Sequence, residues 1–272
     1  MSKRIDLLRL DYTFSVLVPM LLAIFLNHLD PFEHFDILLG FFFLAITGNT
    51  WNDVIDMKDP NEIETLERVE GYHPREIFTI GLTSFILGMT LLMRTCIEHP
   101  VNGILLAAII IMVLLYCVWY KRVPILNHIL LGGSHILLPY FMIKIDAGLT
   151  GLTEVEWVLM FTFFSFALTG QLVHEVIDGD SLRQHLSLRQ CQIVILISSA
   201  ITLVLACWAF IFYPGPYSFY FVPFIFFPLG TMFTFRRPTE STKGVKDVGI
   251  LIGNFLLLYF ICLIILQMSG VI

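Results

Sequence analysis

VNGILLAAIIIMVLLYCVWY, residues 101–120, is a predominantly apolar run. About 20 such residues, rising 1.5 Å each, are what a helix needs to cross the hydrocarbon core of a bilayer. Comparable runs lie near 12–29, 37–51, 77–93, 123–143, 157–173, 193–213, 217–235 and 248–266. The run at 37–51 is short as drawn and is expected to begin nearer Asp36 or to continue past Trp51. The pattern predicts an all-α membrane protein with nine transmembrane helices. Composition agrees: of 272 residues, 57% are hydrophobic and 14% charged, against about 45–50% and 25% in soluble globular chains. The N-terminal stretch opens basic and then runs apolar without a small-residue cleavage site, so it reads as a retained first span.

Orientation follows from Lys and Arg, which are held on the cytoplasmic side. With the N-terminus cytoplasmic, only Arg94 and Lys144 of the 16 basic residues fall on the far side. Nine spans then put the C-terminus outside. Glycines and prolines such as Pro19, Gly132, Gly133, Pro139, Pro223 and Pro228 fall inside spans, where they permit kinks and close packing. No soluble domain or low-complexity tract interrupts the chain, and 1–272 reads as a single integral-membrane domain. The net charge of −6 rests on too few charges to make a nucleic-acid footprint. The cysteines at 96, 117, 191, 207 and 262 contain no C-x-x-C pair and lie mostly in apolar runs, which predicts buried thiols and no disulfide framework or cysteine zinc site.

The longest polar stretch, about Asn52 to Glu76, opens with Asn52-Asp53-Val54-Ile55-Asp56-Met57-Lys58-Asp59-Pro60. Asp53 and Asp56 are three residues apart, on one face of a helix. The loop after the sixth span returns to the same side and reads His174-Glu175-Val176-Ile177-Asp178-Gly179-Asp180. Acids beside a membrane cavity are functional candidates. Two opposed carboxylate clusters suit Mg²⁺, a hard cation that takes carboxylate oxygens and completes its shell with substrate phosphate. Glu62, Glu64, Glu67 and Glu70 read as solvated loop acids. His128 and His135, seven apart in the fifth span, read as hydrogen-bonded interior histidines because no third ligand is near.

Asn52-Asp53-x-x-Asp56, the Ile177-Asp178-Gly179-Asp180 run and nine spans resemble the UbiA superfamily of intramembrane prenyltransferases over essentially the whole chain. Tyr116-x-x-x-Tyr120-Lys121-Arg122-Val123-Pro124 is similar to the family's stretch leading into the fifth helix, and His73-Pro74-Arg75-Glu76 to its start of the third. Departures accompany the likeness. The family's third Asp position in the first motif is Pro60, with Asp59 one residue early. In the second motif the Asp four residues before the last is replaced by Val176, leaving Glu175 and Asp178 to supply oxygens. The family's Arg-Pro-Leu-Pro-Ser-Gly linker is replaced by Glu67-Arg68-Val69-Glu70-Gly71.

The resemblance implies a bundle around a central cavity in the cell membrane, with the active site on the cytoplasmic side. It implies Mg²⁺ held by Asp53, Asp56, Asp59, Glu175, Asp178 and Asp180. Asn52, Arg68, Tyr116, Tyr120 and Lys121 would contact the substrate, with Lys121 acting together with Asp53, Asp56, Asp178 and Asp180 in catalysis. The implied partners are an isoprenyl diphosphate donor, a lipophilic acceptor and the bilayer, with no nucleic acid and no obligate protein partner. Among the acceptors used in the family, frequency alone favours an aromatic quinone precursor. Two alternatives stand beside prenyl transfer: a terpene cyclase of the same fold, and a lapsed scaffold or transporter.

Overall fold

The computed structural model describes residues 5–60, 62–121, 123, 125–178, 181–212, 218–235 and 243–272. Among them every regular element is helical. In chain order these are α1 (Phe14–Leu26), α2 (Phe35–Asp56), α3 (Ile63–Arg68), α4 (Pro74–Glu98), α5 (Pro100–Leu115), α6 (Leu126–Gly132), α7 (Leu138–Asp146), α8 (Glu154–Asp178), α9 (Ser181–His185), α10 (Leu188–Phe212), α11 (Pro223–Phe235) and α12 (Lys243–Met268). Wider π turns occupy Tyr116–Tyr120 and Gly133–Leu137, and short 3-10 turns occupy Leu10–Tyr12 and Ser218–Phe221. The second π turn has a local cause. Pro139 has no N–H to donate and its ring crowds the carbonyl four residues back, so the helix widens just before it.

Among the described residues, seven helical segments are long and apolar enough to cross a membrane: Pro74–Glu98, Pro100–Tyr120, Leu126–Asp146, Glu154–Ile177, Leu188–Ile211, Ser218–Phe235 and Val248–Met268. The chain is thus a multi-pass membrane protein by helix length and composition. They coincide with the last seven of the nine expected runs. The first expected run forms only the shorter apolar segment Leu10–Leu26. The second becomes α2, 22 residues long; it starts before Asp36 and continues past Trp51, and its acidic ends set it apart from a purely apolar span.

The chain forms two compact units. The first contains Met1–Trp119, Gly133–Leu149 and Ile250–Ile272; the second contains Tyr120–Gly132 and Thr150–Gly249. Within the first, α2 lies against α4 and α1 lies against α7. The α2–α4 contact depends on small residues, as membrane helix pairs often do because lipid offers no hydrophobic drive toward association. A Cβ on Gly40 would sit 2.7 Å from Leu92 Cγ, and one on Gly88 would sit 2.9 Å from the Gly40 carbonyl oxygen. Thr47 donates its hydroxyl across the same contact to the Gly81 carbonyl at 3.2 Å, and Trp51 stacks on Phe78 with ring centroids 5.5 Å apart. α4 starts where Pro74 occupies its first turn, a position that needs no N–H donor, and Glu76 accepts from the His73 backbone N–H at 2.7 Å.

Gly88→Leu is expected to destabilise the protein by at least about 2 kcal/mol, since the added side chain collides with backbone that cannot rotate away. Thermal unfolding in detergent measures it. Gly230→Leu is the control, because nothing lies within 4 Å of a Cβ there. Equal melting temperatures for the two variants would refute the close approach of α2 and α4.

In the second unit α10 packs on α8 and α11, and α6 packs on α8. Hydroxyls pair across the α8–α10 contact: Ser165 with Thr202 at 2.7 Å and Thr169 with Ser198 at 2.6 Å. Gln192 donates from α10 to the Phe235 carbonyl at 2.6 Å. Leu172, Val173, Leu182, Cys191, Ile195 and Phe235 form an apolar cluster, against which Val176 and Ile177 pack. Gly132 on α6 leaves room for the Phe164 ring of α8. Cys117 and Cys191 are buried, whereas Cys262 is exposed; none of the five is in a disulfide.

Candidate active site

The C-terminal end of α2 carries the first acidic group in the first unit. Its helical spacing places Asp53 and Asp56 on one face, and both are buried, Asp53 completely. Arg68, the last residue of α3, reaches back as a fork: Nη2 donates to Asp53 Oδ1 at 2.7 Å and Nε donates to Oδ2 at 3.1 Å. Arg9 Nη1 approaches the same Oδ1 at 3.6 Å, while its guanidinium lies 4.3 Å above the Tyr12 ring. Asn52 Nδ2 donates to Asp56 Oδ2 at 2.6 Å. Leu7, Val69 and Ile77 bury one another beneath this region, with Val54, Met57, Tyr72 and Ile80 around them. This apolar seat holds the Arg9 segment and the end of α3 in place.

Arg9 adopts φ 47° and ψ 47°, the left-handed region that is costly for a non-glycine residue. The Asn49 side-chain amide donates to its carbonyl at 3.4 Å. Burial works against the Arg9 charge, but Tyr12 and then Asp53 outweigh it and raise its pKa above the ordinary guanidinium value. Arg9 therefore stays charged. Oδ1 of Asn52 is buried with no hydrogen-bond partner. A buried acceptor without a donor is costly, and this one belongs to the side chain whose amide binds Asp56. Oxygens of this kind suit a hard divalent cation.

The second unit holds the other acidic group. Glu175, near the end of α8, is buried. Its Oε1 accepts from Asn127 Nδ2 at 2.5 Å, and Oε2 accepts from the Leu182 backbone N–H at 3.2 Å. His128 Nδ1 pairs with Gln171 Oε1 at 2.8 Å. His128 Nε2, which is buried and has no hydrogen-bond partner, faces Glu175 Oε1 at 3.5 Å. Asn127 Oδ1 accepts from the His128 backbone N–H at 2.7 Å. α6 and α8 are thus joined by a continuous polar set in an otherwise apolar contact.

The sequence model of the UbiA prenyltransferase family matches residues 16–246. The chain belongs to this family. As a UbiA-family protein it is also similar in fold to a UbiA homolog from Archaeoglobus fulgidus bound to GPP and Mg²⁺, with 15% identity and a TM-score of 0.71 over 96% of this chain and 99% of that one. The same homolog bound to DMAPP and Mg²⁺ gives 14% identity and a TM-score of 0.69 at the same coverage. Bound to Cd²⁺ it gives 16% and 0.70, again over 96% and 99%. No curated protein matches the sequence.

The UbiA-family residues expected from sequence fall into distinct settings. Asn52, Asp53, Asp56 and Arg68 come together, although Arg68 engages a carboxylate where a phosphate contact was expected. Asp59 lies half-buried just beyond α2. Tyr116 and Tyr120 bound the π turn at the end of α5, both half-buried. Lys121 follows, and its carbonyl accepts from Asn127 Nδ2 at 3.3 Å. Arg122 and Pro124 lie outside the described residues. Asp178 ends α8, and Asp180 lies outside the described residues. Val176, which replaces the family Asp, packs into the apolar cluster of the second unit.

Sequence reasoning missed Arg9, counted there only as a topological charge, Asn127 as a partner of Glu175 and Gln171 as the partner of His128. The available signal was their polarity inside apolar runs, since polar side chains at membrane depth pair with one another.

Proposed function

We propose that the chain transfers an isoprenyl group from an allylic isoprenyl diphosphate to a lipophilic acceptor, with Mg²⁺-assisted release of diphosphate. The observation that carries this reading is the buried Asn52–Asp53–Asp56 group with two guanidinium ions directed at Asp53. It joins oxygen ligands for a hard cation to fixed positive charge for a phosphate. Family membership supports the reaction class, and the Archaeoglobus fulgidus homolog's complexes with GPP or DMAPP and Mg²⁺ support the donor class and the metal. The match over 16–246 includes residues of both compact units, which supports 1–272 working as one domain.

In this reading Asn52, Asp53 and Asp56 would hold the ion, with Asp59 as a further ligand, and the family resemblance adds Glu175, Asp178 and Asp180 to the metal ligands. Mg²⁺, when bound, neutralises charge developing on the leaving diphosphate. Arg68 and Arg9 would turn from Asp53 toward phosphate oxygens, for which a guanidinium fork is well matched. Lys121 would add a point charge, and Tyr116 and Tyr120 hydroxyl donors. Such charges act strongly because they are in place before the bond breaks. The allylic cation left behind is captured by water unless water is excluded, which suits a site between membrane helices that also admits a lipid tail. The acceptor attacks the cation and then loses a proton. An aromatic quinone precursor is the favoured acceptor. The asymmetry of Lys and Arg supports nine spans with a cytoplasmic N-terminus and the acidic groups on the cytoplasmic side of the cell membrane.

Purified full-length protein in detergent, given allylic diphosphates with Mg²⁺ or EDTA and a panel of acceptors, tests the reading. Diphosphate release that needs both Mg²⁺ and an acceptor is expected. Release without acceptor, accompanied by a cyclic hydrocarbon, would make the protein a cyclase. No binding of any allylic diphosphate by folded protein would overturn the enzyme reading.

A further inference from the structure

A second ionic group lies in the first compact unit, at the other end of α2 from Asp53. Asp36, in the first turn of α2, is 17 residues from Asp53 along one helix, about 26 Å at 1.5 Å per residue. Arg94 of α4 organises the group. Its Nε and Nη2 donate to both oxygens of Asp36 at 2.6 and 2.9 Å, Nη1 donates to Glu98 Oε2 at 2.8 Å, and Nη2 also reaches Asp146 Oδ2 at 3.2 Å. His34 Nδ1 bonds the same Asp146 oxygen at 2.6 Å.

These contacts use both oxygens of Asp36 but one oxygen each of Glu98 and Asp146. The Asp146 side chain is 2% exposed; no hydrogen bond of ordinary geometry reaches its Oδ1, and the Thr95 hydroxyl is the one other side-chain donor to this carboxylate. A buried carboxylate oxygen so weakly served is costly for a fold to retain. At the junction of α4 and α5 stands the His99 imidazole. Ligand atoms of Glu98, His99 and Asp146 all lie within 4.8 Å of one another. Arg94 is the one Lys or Arg in these contacts and faces three carboxylates, those of Asp36, Glu98 and Asp146.

We propose that Glu98, His99 and Asp146 bind a divalent first-row transition cation of the Zn²⁺ class, at a site separate from the diphosphate chemistry. Imidazole among the ligands points away from Mg²⁺ and Ca²⁺, which prefer all-oxygen shells. Zn²⁺ accepts both histidine nitrogen and carboxylate oxygen, and three protein ligands leave its fourth position open to water. Asp146 is the anchored ligand, held through its other oxygen by His34 and Arg94 in the manner of a ligand oriented from behind. Glu98 is the adaptable one: its side chain is 53% exposed, and it closes the spread of ligand atoms to the roughly 3.3 Å separation that bonds of about 2.0–2.1 Å require. The ion ties the end of α4 to the end of α7, two helices that the sequence leaves 47 residues apart between His99 and Asp146.

The test is Zn²⁺ titration calorimetry on chelator-stripped full-length protein, with millimolar Mg²⁺ present to occupy oxygen sites. Thermal unfolding is followed on the same samples. One Zn²⁺ per chain is expected, with a rise in melting temperature. His99→Ala and Glu98→Gln should each weaken binding at least tenfold and abolish that rise, while Mg²⁺-dependent diphosphate release without Zn²⁺ stays as in the parent. Both substitutions are at positions outside the buried core, so folding is retained and can be checked by the melt. Absence of Zn²⁺ binding, or a loss smaller than tenfold in either variant, overturns the proposal. Because the titration reads binding alone, its outcome stands apart from whether the chain turns over a prenyl diphosphate.

Discussion

Asp53→Asn is expected to lower Mg²⁺-dependent diphosphate release by about 10²–10³-fold, the range seen when one preorganised electrostatic contact to a developing charge is removed. Three features of Asp53 set this size. It is completely buried, so its charge acts with little screening by water. Arg68 holds both its oxygens, so its geometry is settled before substrate arrives. It also shares one face of α2 with Asp56, which Asn52 binds at 2.6 Å, so the two carboxylates are held as one group. Single-turnover release from an allylic diphosphate at saturating Mg²⁺ measures the effect. Folding is checked by the melting temperature, since the change leaves Arg68 and Arg9 facing a neutral amide. Asp56→Asn should lose activity on the same scale. A folded Asp53→Asn protein with release within threefold of the parent would show that the first acidic group does not serve the chemistry.

Arg68→Met is the second large effect, and it appears in stability. Removing one partner of a buried ion pair leaves the other charge poorly compensated, at a cost of about 3–5 kcal/mol. Here Arg9, 3.6 Å from Asp53 Oδ1, remains, which places the expected loss at the lower end of that range. The variant should also respond to Mg²⁺ differently. In the parent the fork covers both Asp53 oxygens, so Mg²⁺ without a diphosphate competes with Arg68 and changes the melting temperature little. In Arg68→Met the carboxylate is open to the ion, and Mg²⁺ alone should restore much of the lost stability by binding only the folded state. Melts of both proteins with and without Mg²⁺ decide it. A Mg²⁺ response equal in the two proteins would mean that Arg68 does not guard the site.

The helical character and the apolar segments were legible because hydropathy and helical spacing are local properties. In lipid the backbone must satisfy its own hydrogen bonds, so a long apolar run is committed to helix. Asp53 and Asp56 were legible for the same reason, since a three-residue interval fixes a shared face within one helix. Arg9 was not. Its role depends on a left-handed backbone turn, on the Tyr12 ring and on a carboxylate 44 residues away, none of which leaves a local mark. Asn127 and Glu175 are likewise 48 residues apart in the chain. The substitution at Val176 looked like a lost ligand in sequence; in three dimensions it is a packing residue beside a glutamate that α6 holds in place.

By itself the sequence determined that this is a helical, multi-pass membrane chain, where its apolar segments lie and which acidic runs interrupt them. Tertiary structure alone decided which partner each polar side chain takes. Arg68 meets Asp53, Asn127 meets Glu175, and Asp146 meets His34 and Arg94. The physical reason is one of range. Transfer into lipid and helix formation are settled by residues within a turn or two of each other, whereas a pairing between helices depends on the rotation and depth of each, set by distant contacts such as Gly40 against Gly88 and Gly132 against Phe164.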